Sequence, residues 1–250
     1  MTFKLKVLAA AITMGFSFGA NAAVIDLFTQ AQSVSDLLGG GATSTFVSGA
    51  GIVGTERDVS VDVITSPIGL GATASVGSGY LSLNSQSGVA GNLVVQWDGV
   101  DGSMALGSGL SLDLTDGNPI ASMGFVIRTY NADSPFTFSL GAYSAGGASS
   151  VILLNGHTTA GFIAAGVPSY IPLAGFQACG FVGGDVLGVT CSGSVDLTQI
   201  SALELRVYGT ADLDLTIGSA SSSQVPEPAV LALLGSSLFG LAAFRRRKQD

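Results

Sequence analysis

Apolar and polar residues alternate by twos through most of the chain. Asp58-Val59-Ser60-Val61-Asp62-Val63 puts three valines on one side of an extended backbone and Asp, Ser and Asp on the other. Asp212-Leu213-Asp214-Leu215-Thr216-Ile217 repeats the arrangement. The same reading predicts strands over residues 80–83, 93–97, 125–130, 136–140, 151–154 and 203–208. Gly, Asn, Asp and Ser clusters separate these segments, and such residues build turns. Helical spacing is scarce: residues 30–38 predict one or two helical turns, stopped by Gly39-Gly40-Gly41. Many short strands with polar outer faces predict an all-β fold, a two-sheet antiparallel sandwich of jelly-roll type. An outer-membrane barrel would instead need outward apolar faces of ~10 residues with aromatic girdles, and here those faces carry Asp, Ser and Thr.

Both ends depart from this pattern. Residues 1–22 have the three parts of a secretory signal: basic Lys4 and Lys6, an uncharged run over 7–18, and the A-x-A site Ala20-Asn21-Ala22. The run is shorter than the ~20 residues that span a bilayer, which favours a cleaved signal over an anchor. At the other end, Val225-Pro226-Glu227-Pro228 lacks a backbone donor at two positions and continues neither strand nor helix. Residues 229–244 are uncharged and predict a hydrophobic membrane helix, marginally long for the hydrocarbon core. Arg245, Arg246, Arg247 and Lys248 follow at once as a stop-transfer cluster on the cytoplasmic side. The expected organisation is a signal peptide (1–22), a secreted β-sandwich domain (23–224) and a C-terminal tail (225–250).

The tail resembles the PEP-CTERM sorting signal of Gram-negative bacteria. The resemblance rests on three ordered parts: Pro226-Glu227-Pro228, the helix over 229–244, and the basic cluster 245–248. It implies recognition by an exosortase-type sorting enzyme, a transient stay in the inner membrane, and processing near Pro-Glu-Pro. It also implies a bacterium that makes exopolysaccharide, and a destination at the cell surface or in the extracellular matrix. Trp97-Asp98-Gly99-Val100-Asp101-Gly102 and two Asp-Leu-Thr turns resemble a recurrent core of other PEP-CTERM proteins, one without an activity to carry over. Those turns also form an internal echo: Ser111-Leu112-Asp113-Leu114-Thr115 recurs as Ser194-Val195-Asp196-Leu197-Thr198, each followed by a strand bearing an Arg (Arg128, Arg206).

Charge narrows the partners. Between the two ends only Arg57, Arg128 and Arg206 stand against fifteen Asp and Glu. Nucleic-acid binding needs clustered Lys and Arg and is not expected. Gly, at 36 of 250 residues, is about twice the usual share but follows no period, which excludes collagen. Cys179 and Cys191 enclose a Gly-rich segment, and an exported chain meets an oxidising compartment, so they are expected to form a disulfide. Two Cys and one His do not make a zinc site.

No motif specifies catalysis, and the chain is expected not to be an enzyme. His157 is the only histidine and follows a turn. Gly15-Phe16-Ser17-Phe18-Gly19 falls inside the export signal, without the strand-to-helix elbow that a nucleophile requires. Gly49-Ala50-Gly51-Ile52-Val53-Gly54 is followed by a strand pattern rather than the helix a dinucleotide site needs. Asp58, Asp62, Asp212 and Asp214 read as acids on solvent-facing strand surfaces rather than a glycosidase pair. Asp98, Asp101 and Asp116 lie in Gly-rich turns and are candidate calcium ligands, although Asp-Gly is good turn chemistry without a metal.

These features point to a structural or adhesive protein of the exopolysaccharide matrix. The first alternative is a carbohydrate-binding module, with Tyr80, Trp97, Tyr130, Tyr143, Tyr170 and Tyr208 as candidate platform residues or, alternatively, packing residues. The second is a secreted hydrolase acting on polysaccharide.

Overall fold

The computed structural model describes residues 23–37, 40–67, 69–156 and 168–224. The export signal, His157 and the tail elements 225–250 lie outside the described residues, so the hydrophobic C-terminal helix is not part of this description. Among the described residues no helix is long and apolar enough to cross a membrane.

In chain order the strands are β1 (Ala23–Asp26), β2 (Gln32–Asp36), β3 (Thr43–Ser48), β4 (Glu56–Thr65), β5 (Ala72–Gly77), β6 (Tyr80–Ser85) and β7 (Ala90–Trp97). There follow β8 (Met123–Ala132), β9 (Phe136–Ser144), β10 (Ser149–Asn155), β11 (Pro168–Pro172), β12 (Val186–Ser192), β13 (Ile200–Gly209) and β14 (Asp214–Gln224). They form two antiparallel sheets. Sheet A has the order β11-β8-β14-β6-β5-β2, and β1 also pairs with β14; sheet B has the order β12-β10-β9-β13-β7-β4-β3. The expected two-sheet antiparallel sandwich is what the chain forms.

Period-two alternation builds the core. Across sheet B, Val59 pairs with Val95 and Val61 with Leu93, while Leu205 and Val207 flank the same two β7 residues from the other side. Sheet A answers with Val34, Ala74, Leu81, Leu83, Leu215, Ile217, Phe125 and Ile127, all buried. Each such Val, Leu or Ile contributes roughly 1.5–3 kcal/mol by leaving water.

Residues 32–36 form a strand, not the helical turn that the sequence suggests. Gln32, Val34 and Asp36 face inward and Ser33 and Ser35 outward, and pairing with β5 secures this period of two. The short Gln-Ser-Val-Ser-Asp segment has no helical face to bury, so tertiary pairing decides its form.

A buried ion pair sews the sheets together. Arg57 Nη1 donates to both carboxylate oxygens of Asp26, at 3.0 and 2.9 Å, and both side chains are wholly buried. Arg57 Nε donates to Gln32 Oε1 and Nη2 to the Gln30 carbonyl. Trp97 Nε1 completes the group with a 2.9 Å bond to Asp26. Trp97 is therefore a core residue with a partnered indole, not part of an exposed platform.

The internal echo is a pair of neighbouring turns. In each, Asp Oδ1 accepts from the Thr two residues on, through backbone N–H and hydroxyl: Asp113 with Thr115, and Asp196 with Thr198. The Leu114 N–H donates to the Leu197 carbonyl, so the two copies lie side by side and bury Leu114 and Leu197. Cys179 and Cys191 are disulfide-bonded with Cα atoms 5.6 Å apart, fastening a loop to edge strand β12.

Candidate functional site

Two regions hold unusual surface chemistry. The first is a cleft of about 530 Å³ on the outer face of sheet A. Tyr80 on β6 and Tyr130 on β8 reach toward each other across the intervening β14 and meet edge-to-face, with ring centroids 5.1 Å apart. They remain 42% and 37% exposed. Beside them lie Ser75, Ser82, Asn131 and Thr216, and the Ser82 and Thr216 hydroxyls are 3.3 Å apart. The register explains the grouping: Ser82 is paired with both Ser75 and Thr216, and Thr216 with Asn131.

Gly218 makes this arrangement possible. A Cβ there would lie 2.5 Å from the Tyr130 ring, so only glycine lets the ring lie across β14. The register of β14 against β8 also slips by one residue between Ile217 and Ala220. Such a bulge re-aims side chains. The rest of this outer face carries mostly hydroxyls, including Ser35 and Thr73, whose oxygens are 2.8 Å apart.

The second region is an acidic pocket on the outer face of sheet B. Glu56 and Asp58 begin β4, and Asp98 and Asp101 lie just after β7. The antiparallel pairing of those strands sets Asp58 opposite Gln96 and so brings the two acidic pairs together. The 98–109 loop then covers them, closed at its neck by a 2.7 Å bond from the Gly109 N–H to the Asp98 carbonyl. Ligand oxygens of Glu56, Asp58 and Asp101 lie within 4.8 Å of one another.

The loop's own donors satisfy part of this group. Glu56 Oε1 accepts from the Asp101 and Gly102 N–H groups, and Oε2 from Ser48. Led by the Gly102 bond, these contacts hold the Glu56 carboxyl below its ordinary pKa against the opposing effect of burial. Asp98 Oδ2 accepts from the Gly107 N–H. Asp58 is wholly buried, yet neither of its oxygens receives a hydrogen bond; Asp98 Oδ1 and Gln96 Oε1 are likewise buried without a donor. Burial, reinforced by the charges of Asp98 and Glu56, pushes the Asp58 carboxyl up to about 8. Burial raises Asp98 as well. A Cβ on Gly107 would meet Asp101 Oδ2 at 2.9 Å and Asp98 Oδ2 at 3.2 Å, so the missing side chain leaves room between these acids.

The structure redistributes the residues singled out in the sequence. Asp98 and Asp101 belong to the pocket. Asp116 does not join them: it sits exposed, with positive φ, in the turn that Asp113 organises. Glu56 and Asp58 take its place, and Asp58 does not face water because the loop lies over it. Asp212 and Asp214 each accept a backbone N–H, from Gly88 and Ser85 respectively. Of the candidate platform aromatics, Tyr80 and Tyr130 come together, while Tyr143 and Tyr208 lie on β9 and β13 of sheet B and Tyr170 on edge strand β11. Gly218 carried no signal in the sequence, because the need for it arises only when β8 lies beside β14.

Comparison with known proteins bears on both the tail and the body. Residues 224–248 match the family model of the PEP-CTERM protein-sorting motif. The chain thus carries a PEP-CTERM sorting signal at this end, a signal that implies export and recognition by an exosortase. No curated protein matches the chain. Among solved structures, PfGH50B aligns at 14% identity and TM-score 0.39, over 74% of this chain and 24% of that one. The agarase AgWH50C aligns at 13% identity and TM-score 0.36, over 66% of this chain and 22% of the agarase. This chain thus spans about a quarter of the length of either. The family 11 carbohydrate-binding module from Clostridium thermocellum, solved with a β-1,3-1,4-mixed-linked tetrasaccharide, aligns at 14% identity and TM-score 0.37, over 84% of this chain and 99% of the module. At these TM-scores the functional reading rests on the chain's own residues.

Proposed function

We propose that this exported sandwich is a non-catalytic, adhesive protein of the cell surface or extracellular matrix, and that it binds exopolysaccharide through the Tyr80–Tyr130 cleft. The observation that carries the reading is the exposed edge-to-face tyrosine pair in a surround of hydroxyls and an amide. A sugar ring offers C–H groups on its faces and hydroxyls at its rim. Aromatic rings take the first, and Ser82, Asn131 and Thr216 can exchange hydrogen bonds with the second. The lining is uncharged, which suits a hydrated neutral polymer. Glycoside hydrolysis uses two carboxylates flanking the scissile bond, and the cleft's partners are alcohols, phenols and an amide.

The test is affinity electrophoresis of the purified exported protein through gels containing exopolysaccharide from its own host, with dextran gels as the control. The expected result is retardation by the host polymer. Tyr80→Ala or Tyr130→Ala should weaken it about tenfold, as for the loss of ~1.4 kcal/mol. An unretarded wild-type protein, or tyrosine variants that migrate like wild type, would refute the reading.

A further inference from the structure

Three buried acids, Glu56, Asp58 and Asp98, and the exposed Asp101 stand together on sheet B with no cation from the described residues among them. The described chain has three arginines to offer. Arg57 points the other way, into the Asp26 ion pair, and Arg206 binds Glu204 at 2.6 Å. Arg128 is exposed on sheet A. Four buried oxygens in this neighbourhood have no donor: both of Asp58, Asp98 Oδ1, and Oε1 of Gln96, the cross-strand partner of Asp58. Buried acceptors without donors cost of order 1–3 kcal/mol each, and more when charged. Proteins do not ordinarily collect several in one place.

The remaining contacts describe a cradle. Glu56 orders the turn through the Asp101 and Gly102 N–H groups, and so presents Asp101 beside Asp58. The room left by Gly107 is bounded by Asp101 Oδ2 and Asp98 Oδ2. Every candidate donor is oxygen; no nitrogen or sulfur ligand takes part. Oxygen-only, carboxylate-rich sets select hard cations. A loop site with mixed carboxylate and amide oxygens suits calcium, which accepts 6–8 ligands in irregular geometry, better than magnesium, which demands a tight octahedron.

We propose that Glu56, Asp58, Asp98 and Asp101 bind one calcium ion, which the exported protein acquires outside the cytoplasm and which fastens the 98–109 loop onto sheet B. The ion supplies the positive charge that β4 and β7 lack on this face. The site lies on the sheet opposite the tyrosine cleft and does not depend on the polysaccharide reading.

The exported protein, stripped with EGTA and titrated calorimetrically with calcium chloride, tests this. Saturable one-site binding is expected, with Kd near or below ~10⁻³ M, the range of extracellular modules. In 10 mM calcium chloride the thermal midpoint should rise by roughly 3–10 °C over EGTA, and magnesium chloride should give a clearly smaller rise. Asp101→Ala, at an exposed loop position, should fold as wild type and lose about tenfold or more in calcium affinity. Asp58→Asn should hold the midpoint in EGTA at or above that of wild type, because its amide offers N–H donors to the neighbouring acid oxygens, and should abolish the calcium response. Should Asp58→Asn fail to fold, Asp101→Ala decides. No binding heat together with equal midpoints in EGTA and calcium would overturn the proposal, as would an Asp101→Ala protein that binds calcium like wild type. Those results would leave Asp58 and Asp98 sharing a proton instead.

Discussion

Arg57 and Asp58 are neighbours on β4, both fully buried, and they face opposite sides of the same sheet. Arg57 looks inward and finds an acceptor for each of its three nitrogens, from Asp26, Gln32 and the Gln30 carbonyl. Asp58 looks outward and finds only other acids and an amide oxygen without a donor. One charge is neutralised by the chain itself, using β1, which pairs with β14 of sheet A. The other is left for something the chain does not contain. The pair teaches that burial alone does not mark a functional acid; burial without a counter-charge does.

The strongest way to break this contrast is to orphan the inner charge too. Arg57→Leu leaves Asp26 buried and unpaired and should cost about 3–5 kcal/mol of stability. Urea unfolding of wild type and variant measures it, and a loss under 1 kcal/mol would mean that the core network is not what joins the sheets. Trp97→Phe keeps the ring packing but removes the indole donor to Asp26. Its expected cost in the same assay is about 1–3 kcal/mol. Gly107→Ala sharpens the comparison from the other side. It should leave urea stability in EGTA nearly unchanged while weakening calcium binding several-fold, since the new methyl group crowds Asp98 and Asp101.

The smallest effect is expected at Asp113, an acid that the chain satisfies at the surface. Burial pushes its pKa up, but bonds from the Thr115 hydroxyl and from the Thr115 and Gly117 N–H groups outweigh it, so the folded value falls below 3.8. A lowered carboxylate stabilises the fold above its unfolded pKa, and that contribution disappears as pH falls through the folded value. Asp113→Ala should therefore cost about 1 kcal/mol at pH 7. It should cost less near pH 3, with the two urea midpoints converging in acid.

The contrast also separates what a linear reading can and cannot reach. Valines at alternate positions in β4 and leucines in β14 announce a sheet face, because a period of two is written locally. The Cys179–Cys191 bridge was legible for the same reason: short spacing, a Gly-rich turn and an oxidising destination. Asp58 was misread as solvent-facing because the pattern tells one strand face from the other but not whether a loop some forty residues later folds over it. Half of the acidic pocket, Asp98 and Asp101, was visible as turn chemistry. Glu56 and Asp58 join only through the β4–β7 register, and Asp116 looked equivalent because a turn acid caps its neighbours whether or not a cluster lies nearby. The tyrosine pair depends on β14 separating β6 from β8, an order that no local signal records.

One feature of β14 sets how the molecule stands before release. Gln224 ends that strand and also opens the matched sorting motif, so body and address share a residue. From Gln224 to Ala229, where the uncharged run begins, the backbone can reach at most about 18 Å. If that uncharged run enters the membrane before processing, the Met123 end of sheet A stands within this reach of the lipid, since Met123 pairs with Gln224. Thr216, beneath the tyrosines, lies roughly 26 Å back along the same strand at ~3.3 Å per residue. A body held at that end would carry the proposed polysaccharide cleft on the side of the strand remote from its anchor.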